Sequence, residues 1–336
     1  MIGLVDLNSL PSRRKGRGPK TTDLFSGAGF FGLAFELEGA SLDAAFEWDP
    51  VAVATHERNF PGRVKRADLG KLKPTGRADI VIAGPPCQGF SSIGARSEGD
   101  PRNSLCLRIP KWAVTCGAKI VVVENVAAFA ETEECVRMRR RLEDAGYSTD
   151  VWTLNARDYG AAQNRVRSFI ICSRGSRPIP PAPITSSATV RTAFAGLPKR
   201  PDVALSHFTR QQSEQALARI RLVPEGGDIR DLAARAPHLV PPSWFKTDGK
   251  IVDIWGRLSW EGISNTIRTG FLNPSRGRFL HPRENRPITF REGARLQTVP
   301  DWFRFEGTPQ QLARQIGNGV PVVLGRAVAR QVLAAL

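Results

Sequence analysis

Ile80-Val81-Ile82-Ala83-Gly84-Pro85-Pro86-Cys87-Gln88-Gly89-Phe90-Ser91 carries an apolar run into a Gly-Pro-Pro turn and then to a cysteine. A short, wholly apolar run rich in β-branched residues reads as a strand buried on both faces, as in a parallel sheet. Gly84 and the two prolines end it sharply. Open α/β sheets hold their ligands beyond the carboxyl ends of the strands. Cys87 is therefore a candidate nucleophile at such an edge. A lone buried cysteine is more often inert. Here the prolines restrict it, and Gly89, Gly94 and Gly99 suit residues 88–103 to a loop that closes over a substrate.

Working outward, apolar runs alternate with helical stretches from residue 21 to about 173. Strands are expected over 21–25, 44–47, 80–83, 120–123, 147–154 and 168–172, and helices over 33–38 and 135–145. This alternation predicts an α/β fold: a doubly wound, mostly parallel sheet with helices on both faces. The Pro-rich stretch 176–184 reads as a linker. Residues 190–284 have weak periodicity and many Pro and Gly residues, and read as a smaller irregular domain. Helices are expected again over 291–296 and 322–336. The expected organisation is a basic, disordered tail (1–20), a catalytic cofactor-binding domain (21–184), a small target-recognition domain (185–284) and a C-terminal segment returning to the first domain (285–336).

The chain has 336 residues and a net charge of +16. That balance suits a polyanionic partner, nucleic acid being the commonest, although charge alone leaves the matter even. Residues 1–20 hold Arg13, Arg14, Lys15, Arg17 and Lys20 against Asp6. No apolar run is long enough to span a membrane and no signal-peptide core is present, so a cytoplasmic protein is expected. The cysteines number five, with no C-x-x-C pair, which argues against a disulfide framework and against a metal site.

Four further motifs carry chemistry. Gly27, Gly29 and Gly32 make G-x-G-x-x-G between a strand and a helix. Glu47 follows 47 − 27 = 20 residues later, where an acid accepts hydrogen bonds from ribose hydroxyls. The pattern favours a nucleoside cofactor over a plain tight turn, and by itself permits NAD. Glu124-Asn125-Val126 sets a carboxylate after another strand, although a helix N-terminal acid would look the same. In Gln163-Asn164-Arg165-Val166-Arg167, alternation puts Arg165 and Arg167 on one face, with a solvated basic edge as the bland reading. Gln315-Ile316-Gly317-Asn318-Gly319-Val320-Pro321 precedes the final helix and could be only a loop and cap.

Taken in order, these strings resemble those of the cytosine-C5 DNA methyltransferases of bacterial restriction-modification systems. DLFSGAGFFG is similar to the family's cofactor motif, GPPCQGFS to its nucleophile motif, ENV to its carboxylate motif and QNRVR to its Q-x-R-x-R motif. RPITFREGARLQTVPDWF and GNGVP are similar to its C-terminal motifs.

The resemblance implies a DNA (cytosine-5-)-methyltransferase that uses S-adenosyl-L-methionine in a Rossmann-like domain. Phe25, Gly27, Ala28, Gly29, Phe30, Glu47, Trp48, Asp68, Leu69, Pro86, Leu105 and Asn318 would form the cofactor pocket. Cys87 would attack C6 of a flipped-out cytosine, Glu124 would act at N3, and Arg165 would steady O2 and support Cys87. Gln88, Ser91, Arg96, Arg167 and Thr266 would lie near duplex DNA. Thr266-Ile267 is similar to the family's Thr-Leu element. A monomer without metal is expected, and a restriction endonuclease acting on the same site is a candidate partner that the sequence leaves open. A tRNA cytosine methyltransferase on the same scaffold, a non-catalytic DNA-binding regulator and an NAD oxidoreductase are the competing readings.

Overall fold

The computed structural model describes residues 18–86, 101–185, 188–245 and 253–336. Cys87, Gln88, Ser91 and Arg96 lie outside the described residues.

Seven strands form the main sheet: β1 (Lys20–Leu24), β2 (Ser41–Glu47), β3 (Val64–Arg66), β4 (Ile80–Ala83), β5 (Ile120–Val126), β6 (Ser148–Asn155) and β7 (Val166–Ser173). Their order is β3-β2-β1-β4-β5-β7-β6. Pairing is parallel from β3 through β5, and β7 runs antiparallel between β5 and β6. The expected mostly parallel, doubly wound sheet is what forms.

The period of two sorts the central strands onto two faces. Val81, Val121 and Val123 pack with α3 (Ile109–Cys116) and α4 (Glu133–Asp144), through Trp112, Met138 and Leu142. Ile80, Ile82, Ile120 and Val122 pack on the other face. Their partners are Phe31 and Phe35 of α1 (Phe30–Leu37), with Leu324 and Val328 of α11 (Val322–Ala334). The last helix of the chain thus covers the first βα unit. Between them, α2 (Pro50–Asn59) follows β2, capped by Asp49, whose Oδ1 accepts from the Val51 and Ala52 amides.

The segment beyond the linker is more helical than its sequence suggests. It contains α5 (Val190–Phe194), α6 (Glu214–Leu222), α7 (Ile229–Arg235) and α8 (Pro242–Phe245), then a two-stranded pair, β8 (Gly256–Arg257) and β9 (Arg278–Leu280). Ile220, Val223, Ile229, Leu232, Trp255 and Leu280 form a small separate core. Arg257, buried at its centre, donates to the carbonyls of Ile220, Val223, His281 and Glu284 at 2.7–2.8 Å. One guanidinium thus satisfies backbone oxygens that irregular chain leaves without ladder partners. Val190 and Phe194 belong instead to a large core shared with Phe30, Phe271, Phe290 and Phe303. The chain closes with α9 (Phe290–Leu296), α10 (Pro309–Asn318) and α11.

Two local differences bear on the site. Glu124 lies inside β5, because β7 continues the pairing as far as Val126 after β4 has ended opposite Val123. Gln315–Asn318 is the last turn of a helix, α10, and so more than the plain loop that the glycines also permitted. Thr308 caps that helix in a capping box with Gln311, and Pro309 stands at its first position.

Candidate active site

The carboxyl ends of β1, β4 and β5 open onto one cavity of about 580 Å³. It sits where the strand order reverses between β1 and β4, the place such sheets reserve for ligands. Of the twelve residues expected to hold a cofactor, all but Gly29 line it. Gly29 backs the turn instead. A side chain there would meet the His56 ring at 2.8 Å, and its φ of +95° suits glycine.

Glu47 does more than await a ribose. Its Oε2 accepts from the Gly27 amide, and its Oε1 accepts from Trp48 and Asp49, each at 2.8 Å. The carboxylate therefore ties the glycine turn after β1 to the turn after β2. A carboxylate has about four lone-pair sites, so Glu47 keeps capacity for one further donor. Phe25 holds φ at 59°, a left-handed conformation that non-glycine residues rarely adopt. Such strain gathers at ligand sites. Trp48 is 65% exposed at the cavity mouth, although it is a large aromatic.

Two wall residues escaped the sequence reading. Asp23 is 1% exposed and its Oδ2 has no hydrogen-bond partner; Ser26 Oγ is likewise unpartnered. Burial, reinforced by nearby Glu47, holds the Asp23 carboxyl well above the usual carboxylate range. The signal was present as an acid four residues before the first glycine, yet nothing in the spacing said it would be buried without a donor.

At the other end of the cavity stands Glu124. Its Oε2 lies 3.9 Å from where a Gly84 side chain would begin, just above the turn that leads to Cys87. Asn125 Nδ2 donates to the Pro85 carbonyl at 3.2 Å, fixing that turn from the neighbouring strand. Arg167 Nε is 3.1 Å from Glu124 Oε1. The contact is ionic rather than an aligned hydrogen bond, and Oε1 is left without a donor. Burial raises the Glu124 carboxyl above its ordinary value, and Arg167 and then Arg165 pull it partly back. The group is thus poised to hold a proton.

Arg165 and Arg167 both line the cavity, but their guanidinium groups are used differently. Arg165 is 1% exposed and donates to the carbonyls of Ile267, Gly317 and Gly319 at 2.9–3.0 Å. Arg167 faces the carboxylate. Thr266 Oγ1 donates to the Asn164 carbonyl at 2.8 Å, so its segment is laid along the entrance to β7. Asn318, on the last turn of α10, reaches the wall from the opposite side. Among the described residues, no group of three or more His, Cys, Asp or Glu side chains could hold a metal ion. Nor is any described helix long and apolar enough to cross a membrane.

The chain that builds this cavity is similar to known proteins over most of its length. Among solved structures, a putative DNA modification methyltransferase encoded within a prophage of E. coli superposes with a TM-score of 0.67 at 24% identity, covering 94% of this chain and 99% of that one. The S. pombe Dnmt2 methyltransferase gives 0.62 at 17% identity, over 94% and 98%. At these identities the likeness concerns the fold. In sequence, Type II methyltransferase M.XorII of Xanthomonas oryzae pv. oryzae is 34% identical, with 95% of this chain and 85% of the relative aligned. Type II methyltransferase M1.HphI of Haemophilus parahaemolyticus is 32% identical over 93% and 86%. The family model for the C-5 cytosine-specific DNA methylase matches residues 19–334. With the match spanning nearly the whole chain, from β1 to the end of α11, the protein belongs to the C-5 cytosine-specific DNA methylases and is a DNA (cytosine-5-)-methyltransferase.

Proposed function

We propose that the protein methylates C5 of a flipped-out cytosine in a short duplex site, with S-adenosylmethionine as donor and Cys87 as nucleophile. The observation that carries this reading is the pairing, in one cavity, of a nucleoside-sized pocket with a buried carboxyl raised above its ordinary range beside Arg167. The wall suits the cofactor. Asp23 Oδ2, buried and without a donor, matches a cationic methionine end, while Glu47 and the exposed Trp48 suit a ribose and an adenine. When bound, S-adenosylmethionine supplies an electrophilic methyl group on a sulfonium centre.

Cytosine C5 is a poor nucleophile until a thiolate adds at C6. Cys87 follows Pro86 of the cavity wall directly in the chain, and its thiolate forms that bond. The electron pair displaced from the C5–C6 bond makes C5 nucleophilic, with charge spread to N3 and O2. Glu124, whose carboxyl burial raises above its ordinary value, is proposed to share a proton with N3 and so stabilise that charge. Arg167 is the guanidinium placed to meet O2. Arg165, three of whose hydrogen bonds end on buried carbonyls, acts as a mount rather than as the O2 contact. Once C5 carries the transferred methyl group, loss of its proton to a base would restore the C5–C6 double bond and expel Cys87 as the thiolate. A guanidinium such as that of Arg167, if it lies near the thiol, would favour ionisation of a group whose ordinary pKa is about 8.5.

The target-recognition segment, residues 185–284, is proposed to read the major groove, with Thr266 at the backbone. The Type II relatives suggest a cognate endonuclease for the same site. Transfer of labelled methyl groups to plasmid DNA and to tRNA tests the substrate, and label in tRNA alone refutes it. Cys87→Ser should abolish transfer yet retain binding of DNA. A duplex bearing 5-fluorocytosine, which cannot lose a proton from C5, should trap the unaltered protein covalently and leave Cys87→Ser untrapped.

A further inference from the structure

We infer that Gln163, Gln297 and Arg165 are positioning residues that mount the cofactor loop and the DNA-facing segment on one buried frame, so that loosening the frame weakens both ligands together. The inference rests on the functional reading above and deepens it.

Gln163 and Gln297 are 0% exposed, and neither lines the cavity. Gln163 Nε2 donates to the Leu296 carbonyl and to Gln297 Oε1, both at 2.9 Å. Its own Oε1 accepts from the Ile267 amide at 2.8 Å. Gln297 Nε2 donates to the Ile316 carbonyl at 2.7 Å and to that of Gly319 at 3.3 Å. Arg165 closes the circuit, joining the Ile267 carbonyl to those of Gly317 and Gly319. Both backbone groups of Ile267 are thus held by this frame, between Thr266 and Arg268. Arg165 and Gln297 hold the carbonyls on either side of Asn318, and Gln163 ties Gln297 to Ile267.

Packing says the same thing independently. A side chain at Gly317 would strike the Thr269 amide at 2.5 Å, and one at Gly319 would strike the Phe30 ring at 2.0 Å. The loop around Asn318 is therefore a thin layer of backbone pressed between the DNA-facing segment and a wall of the cofactor cavity. A displaced amide at Gln297 would shift Asn318 and Ile267 in one movement.

Three measurements on the full chain test this. Calorimetry reads the affinity for S-adenosylmethionine alone. Steady-state kinetics reads KM for S-adenosylmethionine and for plasmid DNA that the unaltered protein methylates. Gln297→Leu removes the donors without touching either ligand. Both KM values and the calorimetric dissociation constant should rise about tenfold, with kcat at saturation changed less than about threefold. A rise in only one KM, or a fall in kcat with both KM values unchanged, overturns the inference.

Gln163→Glu covers the case in which Gln297→Leu does not fold. The introduced carboxylate still accepts from Ile267 but cannot donate to Leu296 or Gln297. Its defect should therefore shrink as the pH is lowered and the buried carboxyl takes up a proton, whereas a defect independent of pH refutes the frame. If the unaltered protein binds no S-adenosylmethionine or methylates no DNA, the functional reading itself fails. If it does both and the variants bind normally, only the frame is wrong.

Discussion

Gly319→Ala tests whether the backbone around Asn318 must touch the cavity wall. Gly319 has φ −68° and ψ 153°, a conformation open to alanine, so the substitution brings no backbone strain. Its cost is contact alone. The added carbon would lie 2.0 Å from Cδ2 and 2.5 Å from Cε2 of Phe30. Ordinary carbon contact is about 3.5 Å, so roughly 1.5 Å of movement is required. Phe30 cannot turn away freely. It is 2% exposed, with the rings of Phe303 and Phe305 against it at 5.3 and 6.0 Å. Overpacking of this kind costs about 1–3 kcal/mol. The relief available is for Phe30 to swing into the cavity, or for the loop to lift Asn318 off it. Either way the cost falls on the bound state, and affinity for S-adenosylmethionine should drop about 10- to 100-fold at 1.4 kcal/mol per decade. Calorimetric titration reads the affinity, and urea unfolding of the unliganded protein reads the stability. Gly62→Ala is the control. Gly62 has φ +74° with nothing within 4 Å, and it is not part of the wall. It should lose about 1–2 kcal/mol of stability from its left-handed backbone and keep its affinity. Were Gly319→Ala to bind the cofactor as tightly as the unaltered protein, the claim that this loop is pressed against the wall would be wrong.

Glu124→Gln should lower kcat about 10²- to 10⁴-fold while calorimetric affinity for S-adenosylmethionine changes less than about threefold. Because burial raises the Glu124 carboxyl and Arg167 opposes that, the acid form should persist to higher pH in Arg167→Met. The alkaline limb of its kcat profile should then move upward, and a limb that stays put removes Arg167 from the site. Asp23→Asn should stabilise the unliganded protein against urea, since a buried carboxyl whose Oδ2 has no partner is removed, yet weaken S-adenosylmethionine about tenfold or more; equal affinity would show that Asp23 Oδ2 is not reserved for a cation. His56 is fully buried with neither ring nitrogen hydrogen-bonded, and burial lowers its pKa to about 4. The unfolded chain takes up that proton near 6.5 and the folded chain only near 4. Stability is therefore fully present above pH 6.5 and lost as pH falls toward 4, by about 3 kcal/mol from this group. His56→Phe should flatten that part of the stability profile.

The sheet was legible because β4 and β5 are buried on both faces and spell it in unbroken apolar residues. The glycine turn and Glu47 were legible because their chemistry fixes their spacing. Other parts depend on neighbours that no local pattern reveals. Glu124 falls within β5 only because β7 pairs three residues beyond β4's end, from Glu124 to Val126. Helices α6 and α7 were obscured by arginines on short, half-buried segments, with a core supplied by Trp255 and Leu280 from farther along the chain. The start of α10 was spelled out by Thr308-Pro309-Gln310-Gln311, a capping box with proline at the first position. The glycines after it drew the reading toward a loop.

The two arginines of Gln163-Asn164-Arg165-Val166-Arg167 mark where sequence reasoning stops. A period of two correctly brings both to the cavity, and both lower the Glu124 carboxyl. It cannot say which one remains available to a substrate. That depends on the carbonyls within reach, and those of Ile267, Gly317 and Gly319 come from about 100 to 150 residues away. A guanidinium has five donors in a fixed fork. Three of Arg165's hydrogen bonds end on backbone, and its geometry is set by the fold. Arg167, beside a carboxylate to which it is not fully aligned, can turn toward a base without leaving a buried carbonyl bare. Substituting each should therefore separate the two roles. Arg165→Lys keeps the charge but loses the fork, and should weaken S-adenosylmethionine and DNA together, as the frame requires. Arg167→Lys should chiefly lower kcat. Steady-state kinetics with both substrates varied decides, and if Arg165→Lys lowers kcat alone while Arg167→Lys raises both KM values, the assignment is reversed.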